Sequence, residues 1–249
     1  MTNNMFFIAN WKMFGDLKSI NSTKKVIKLS KIKKYNKAQI IYCPPYTLLD
    51  KFLRITKNTR IKIGAQNCHY FHNPGPFTGS INTALLKSIG VGYVIIGHSE
   101  NRIAGDTNSI INLKIKSAIK KKLKVIFCIG ETLKEKRKKK TNFILKSQLI
   151  NGLKNIKKNK NIIFSYEPVW SIGTGKILKN NDLDKQIFEI KKMKIKFWKL
   201  KNPKLIYGGS VNSKNITELK KIRSINGFLI GGSSQKAKNF IDIIKKTII

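Results

Sequence analysis

Acidic residues are scarce. Only 12 Asp and Glu stand among 249 residues, against 51 Lys and Arg, so the formal net charge is 51 − 12 = +39. High net charge on a weakly hydrophobic chain is the usual signature of disorder. Runs such as Tyr93-Val94-Ile95-Ile96 and Val125-Ile126-Phe127-Cys128-Ile129 exclude it, because they supply the buried strands that a disordered polycation lacks. Arginine is scarce too: Arg54, Arg60, Arg102, Arg137 and Arg223 leave 51 − 5 = 46 lysines. Nucleic-acid readers lean on the bidentate guanidinium. The densest basic run, Lys134 to Lys140, contains Glu135 and no aromatic on which a base could stack, and reads as a solvated loop and helix start. Lys, Ile and Asn are abundant together and share A/T-rich codons, so the charge reads as compositional drift. No specific nucleic-acid partner is expected, only the weak, salt-sensitive attraction of any polycation to polyanions.

Other absences narrow the class further. Cys43, Cys68 and Cys128 are odd in number and widely spaced, which excludes a disulfide framework and a Cys-X-X-Cys metal site. They read as small buried or loop residues. Of three histidines, His69 and His72 could share one side of a helical turn, but Pro74 and Gly75 follow at once and no further ligand is near, so no metal is expected. No apolar stretch approaches the ~20 residues of a membrane-spanning helix, so no membrane association is expected and the location is read as cytoplasmic. No Pro/Ser-rich linker divides the chain, and residues 1–249 are read as one domain.

What is present is an alternation. Short β-branched or aromatic runs occur at Phe6–Ala9, Gln39–Cys43, Ile61–Ala65, Tyr93–Gly97, Val125–Gly130, Ile162–Tyr166, Leu205–Tyr207 and Gly227–Ile230. Between them lie longer stretches with helical spacing, such as Ile110, Leu113, Ile115 and Ile119, or Ile187, Ile190, Met193 and Phe197. Eight such units in 249 residues average about 31 residues each, the size of a βαβ repeat. An open doubly wound sheet and a closed eightfold barrel both fit. A dinucleotide-binding sheet carries Gly-X-Gly-X-X-Gly after its first strand, whereas Asn10-Trp11-Lys12-Met13 follows here. Eight units with none left over favour the (β/α)8 barrel.

In that architecture chemistry sits at the carboxyl ends of the strands. The expected ends carry Asn10 and Lys12, then Gly97-His98-Ser99-Glu100, Glu167-Pro168-Val169-Trp170, Gly208-Gly209-Ser210 and Gly231-Gly232-Ser233. Singly, each has a bland reading as a solvated charge, a capping residue or a turn. Together they assemble a cation, an imidazole, carboxylates and glycine-rich loops whose backbone N–H groups an anion can approach. Ser171-Ile172-Gly173-Thr174-Gly175-Lys176, after the stiff Pro168-Val169-Trp170, reads as a lid. It is no nucleotide loop of the Walker type, since Trp170 stands in place of the first glycine and Ile177 in place of Ser or Thr.

These residues resemble the triosephosphate isomerase family. The stretches are Ala9-Asn10-Trp11-Lys12-Met13, Gly64-Ala65-Gln66-Asn67, Phe77-Thr78-Gly79, Gly97-His98-Ser99-Glu100, Cys128-Ile129-Gly130-Glu131, Tyr166-Glu167-Pro168-Val169-Trp170, Ile172-Gly173-Thr174-Gly175-Lys176 and Tyr207-Gly208-Gly209-Ser210-Val211. They run in family order across essentially the whole chain. The resemblance implies a single-domain TIM barrel that interconverts dihydroxyacetone phosphate and D-glyceraldehyde 3-phosphate through an enediolate, in glycolysis and gluconeogenesis, with no metal or organic cofactor. Another phosphate-binding barrel acting on a sugar phosphate leaves the joint presence of Asn10, Lys12, His98 and Glu167 unexplained.

Carried over residue by residue, the resemblance makes Glu167 the base, His98 a neutral imidazole donating to the substrate oxygens, and Lys12 the positive charge, with Asn10 beside it. Glu100 positions Lys12 or assists proton transfer. The backbone N–H groups of Gly173, Ser210, Gly231 and Gly232 hold the phosphate. The resemblance also implies a homodimer in which the loop Gly75-Pro76-Phe77-Thr78-Gly79 inserts beside Asn10 and Lys12 of a second subunit. Departures from the family pattern are Ser80 and Asn101, where a Glu and an Arg are usual, so both halves of a charge pair are missing and a weaker dimer is expected. Ser171 stands for the usual Ala, Ile177-Leu178 for small residues at the lid's exit hinge, and Ser233-Ser234 differ slightly in the last loop.

Overall fold

The computed structural model describes residues 4–156, 161–175, 177–198 and 203–248. Eight parallel strands close on themselves: β1 (Met5–Asn10), β2 (Ala38–Cys43), β3 (Lys62–Ala65), β4 (Tyr93–Ile96), β5 (Lys124–Ile129), β6 (Ile162–Tyr166), β7 (Leu205–Tyr207) and β8 (Gly227–Ile230), with β8 paired back onto β1. The barrel, rather than the open sheet, is the fold, and every expected strand lies within a residue or so of its observed bounds.

The strands read as continuous apolar runs because both of their faces are buried. Ile8, Ile41, Cys43, Tyr93, Ile95, Ile126, Cys128, Ile163, Ile206 and Leu229 fill the barrel interior, while the alternate residues Phe7, Tyr42, Phe127, Phe164 and Phe228 pack outward. Two glycines make this geometry possible. A Cβ on Gly64 would lie 2.7 Å from Cys43 Sγ, and one on Gly227, at φ +146°, would lie 2.1 Å from the carbonyl oxygen of Phe6 where the barrel closes.

The α-helices among the described residues are α1 (Ile20–Lys31), α2 (Leu49–Thr56), α3 (Thr83–Ser88), α4 (Ser99–Ile103), α5 (Asn108–Lys120), α6 (Leu133–Arg137), α7 (Thr141–Gly152), α8 (Asn180–Trp198), α9 (Ile216–Leu219) and α10 (Ala237–Ile248). The expected face of α5 needs correction. Its buried stripe runs through Ile111, Ile115 and Ala118, while Leu113 is exposed, because α5 packs against α7 as well as the sheet. On α8, Ile187 and Ile190 are buried and Met193 partly so; the side chain of Phe197 lies outside the described residues. The basic run Lys134 to Lys140 spans most of α6, which has no buried residue and a Thr132–Glu135 capping box, and the turn that leads into α7, but Lys136 Nζ sits 3.5 Å from the centre of the Trp170 ring. A run without its own aromatic has found one across the fold.

Candidate active site

Every candidate site residue stands at or after the carboxyl end of a strand, so barrel closure brings residues from 10 to 232 to one face. A cavity of about 540 Å³ opens there, and Asn10, Lys12, His98, Gly173, Ser210, Gly231 and Gly232 are among its lining residues. Glu167 is not in that lining; it lies at the floor, beside His98 and under Gly208, and is 2% exposed. Glu100 stands to the other side of His98 and reaches the site through Lys12.

Lys12 is held in an unusual backbone conformation, φ +56°, which non-glycine residues adopt at a cost. Its peptide groups are fixed from both sides. The Lys12 N–H donates to Asn10 Oδ1 at 3.1 Å, and Gln66 Nε2 donates to the Lys12 carbonyl at 2.8 Å and to that of Cys43 at 2.9 Å. The ammonium then reaches Glu100 Oε1 at 2.6 Å. Gln66 is a supporting residue the reading of the sequence gave no role, although it stands directly after β3, where the strand-end rule could have found it.

His98 caps α4. Its Nδ1 accepts the backbone N–H of Glu100 at 3.3 Å, so the neutral ring carries its proton on Nε2. That nitrogen lies 3.7 Å from Glu167 Oε2. The carboxylate is oriented from below: Ser165 Oγ donates to Oε1 at 3.2 Å, while Oε2 is buried with no hydrogen-bond partner among the described residues. A buried acceptor left without a donor carries a desolvation cost, and is the atom that gains most from meeting a proton. Burial also raises the nearby Cys128 thiol well above its ordinary range.

The segment after Glu167 is anchored at its leading end. Glu131 is buried and accepts from Trp170 Nε1 at 2.9 Å and from the Tyr166 hydroxyl at 3.2 Å. Burial raises its carboxyl above the usual range despite these donors. Val169–Ser171 form a 3-10 turn, and Gly173 (φ +71°) and Gly175 (φ +76°) follow; Lys176 lies outside the described residues. Added Cβ atoms on Gly173 and Gly232 would meet nothing within 4 Å, so their backbones face open space at the cavity mouth.

The remaining sequence candidates separate. Among the described residues no group of three or more His, Cys, Asp or Glu is placed to hold a metal ion. His69 Nδ1 accepts from the Phe71 N–H, whereas His72 Nε2 faces Lys120 Nζ at 2.7 Å, so the two rings serve different neighbours. The three cysteines are buried and free. No helix among the described residues is long and apolar enough to cross a membrane. Exposed apolar side chains gather in the loops after β1 (Met13, Phe14, Leu17) and β3 (Tyr70, Phe71, Phe77).

The family model described as triosephosphate isomerase matches residues 5–247. The triosephosphate isomerase of Dictyoglomus thermophilum is 40% identical over 244 residues, covering 95% of this chain and 97% of its own. That of Carboxydothermus hydrogenoformans is 36% identical over 250 residues, covering 98% of both chains. The crystal structure of triosephosphate isomerase from Bartonella henselae superposes with a TM-score of 0.87 at 33% identity, again covering 98% of each chain.

Proposed function

This chain belongs to the triosephosphate isomerase family, and we propose that its cavity at the carboxyl ends of the strands is where it interconverts dihydroxyacetone phosphate and D-glyceraldehyde 3-phosphate. The reaction is a step of glycolysis and gluconeogenesis. The observation that carries the assignment of residues is the buried Oε2 of Glu167, which has no hydrogen-bond partner among the described residues and lies 3.7 Å from Nε2 of His98.

A proton on carbon beside a carbonyl is weakly acidic, so its removal needs an aligned base and donors where negative charge develops. Glu167 Oε2 takes the proton from one carbon and returns it to the other. His98 Nε2–H donates to the oxygens, whose charge rises in the enediolate. Lys12 supplies the positive charge, and Glu100 and Asn10 hold it in place. The N–H groups of Gly173, Ser210, Gly231 and Gly232 bind the phosphate, which fixes the carbon skeleton over Glu167. All of these groups belong to the chain itself, and the chemistry calls for no metal or organic cofactor.

We read the chain as one domain over 1–249 acting as a homodimer. The exposed Met13, Phe14 and Phe77 support a protein partner for this end of the barrel, and a second copy covers them in this reading. Three buried free thiols suit a reducing cytoplasm. The residue assignment is tested by steady-state isomerisation with Glu167→Asp. Shortening the arm by one methylene withdraws the carboxylate by about 1 Å, and a displacement of that size costs about 10²-fold in kcat. Near-normal turnover of this variant removes Glu167 from the role of base.

A further inference from the structure

Ser171 occupies the place where the family pattern has alanine, and its hydroxyl is completely buried. It sits between the lid and the loop after β7. Ser171 Oγ accepts the backbone N–H of Ser210 at 3.2 Å and lies 3.2 Å from the Tyr207 hydroxyl. Gly209 is wedged beneath the pair: a Cβ there would come within 2.2 Å of Tyr207 Oη and 2.8 Å of Ser171 Oγ. The 3-10 turn that opens the lid is therefore tied by one side chain to the loop that carries a phosphate donor.

We propose that Ser171 is a positioning residue that competes with the substrate's phosphate for the Ser210 N–H. This rests on the reading of that N–H as part of the phosphate site. One N–H makes one good hydrogen bond at a time, so an arriving phosphate oxygen displaces Ser171 Oγ from it. The freed hydroxyl keeps Tyr207 as a partner, which limits the cost of release. Phosphate binding is thereby coupled to loosening of the lid's leading turn, and part of the binding free energy is used to break a contact that an alanine would not make.

The test is Ser171→Ala, with inorganic phosphate as the probe. In wild type, phosphate inhibits competitively and shifts the Ser210 amide resonance on titration. Removing the competitor lowers the phosphate inhibition constant about three- to tenfold, the value of one neutral hydrogen bond, and KM for the triose phosphates falls in the same direction. Simple loss of lid packing moves both constants the other way. If Ser210 responds to phosphate in both proteins while the inhibition constant of the variant is unchanged or higher, the competition is refuted and the phosphate site stands. If phosphate fails to compete, or leaves the Ser210 amide unmoved, the phosphate-site reading itself fails and the competition fails with it.

Discussion

Replacing Gly208 with alanine should displace the carboxylate of Glu167 without touching either residue's backbone. Gly208 does not sit in the left-handed region, so an alanine there meets no conformational penalty, only lack of space. Its Cβ would lie 2.5 Å from Glu167 Cγ, 2.7 Å from Ser165 Oγ and 3.0 Å from Glu167 Oε1. Non-bonded carbons settle at about 3.5–4.0 Å, so Glu167 Cγ must retreat by about 1 Å or more. Ser165 must move as well, which disturbs the 3.2 Å hydrogen bond that orients the carboxylate. A misplacement of about 1 Å at a catalytic group costs about 10²-fold in rate, or roughly 2.7 kcal/mol of barrier. Overpacking of a buried site costs about 1–3 kcal/mol of stability, which a barrel of ordinary stability survives at assay temperature. The assay is isomerisation coupled to an NADH-consuming dehydrogenase, run beside a thermal melt. The expected result is a folded enzyme with kcat down about 100-fold and a much smaller change in KM, since the added Cβ presses on Glu167 and Ser165 and its nearest contacts include none of Ser210, Gly231 and Gly232. A folded Gly208→Ala enzyme with kcat within threefold of wild type refutes the placement of Glu167 and the argument from its packing.

Two further outcomes concern association and pH. Sedimentation at micromolar protein should show a dimer that dissociates on dilution, because Ser80 and Asn101 leave no charge pair to reinforce the apolar contact; a fully active monomer at those concentrations refutes the dimer. Glu131 should make stability fall with rising pH. Burial raises its native carboxyl above the ordinary 4.5, so below that value both states hold the proton and the group contributes nothing. Above it the unfolded chain gives up the proton first and the native state loses ground, until the pH passes the raised native value. Glu131→Gln keeps an acceptor for Trp170 and removes the titration, so its melting temperature relative to wild type should climb between pH 4.5 and neutrality. A difference that stays constant across that range contradicts the buried-carboxylate account.

Much of this protein follows from sequence alone. A parallel barrel buries both faces of each strand, so the eight strands appear as short β-branched runs with little ambiguity, and polar or glycine residues that end them line one cavity. Asn10, Lys12, His98 and Glu167 could be named because the rule that chemistry follows the strands is local in sequence. Apart from Glu100 beside Lys12, the sequence did not assign what holds those residues. Gln66 grips the backbone of Lys12 from 54 positions away, Trp170 meets Glu131 across 39, and Ser171 takes the Ser210 N–H across 39. Gly208 must be glycine only because Glu167 and Ser165 lie against it. The same holds for α5, where helical spacing located the helix but not the stripe it buries, since Leu113 is turned outward by packing on α7 as well as on the sheet. Sequence determines which groups stand at the mouth of the barrel, because that depends on local periodicity. Their aim, partners and strain are decided by barrel closure, which brings distant loops within hydrogen-bonding distance.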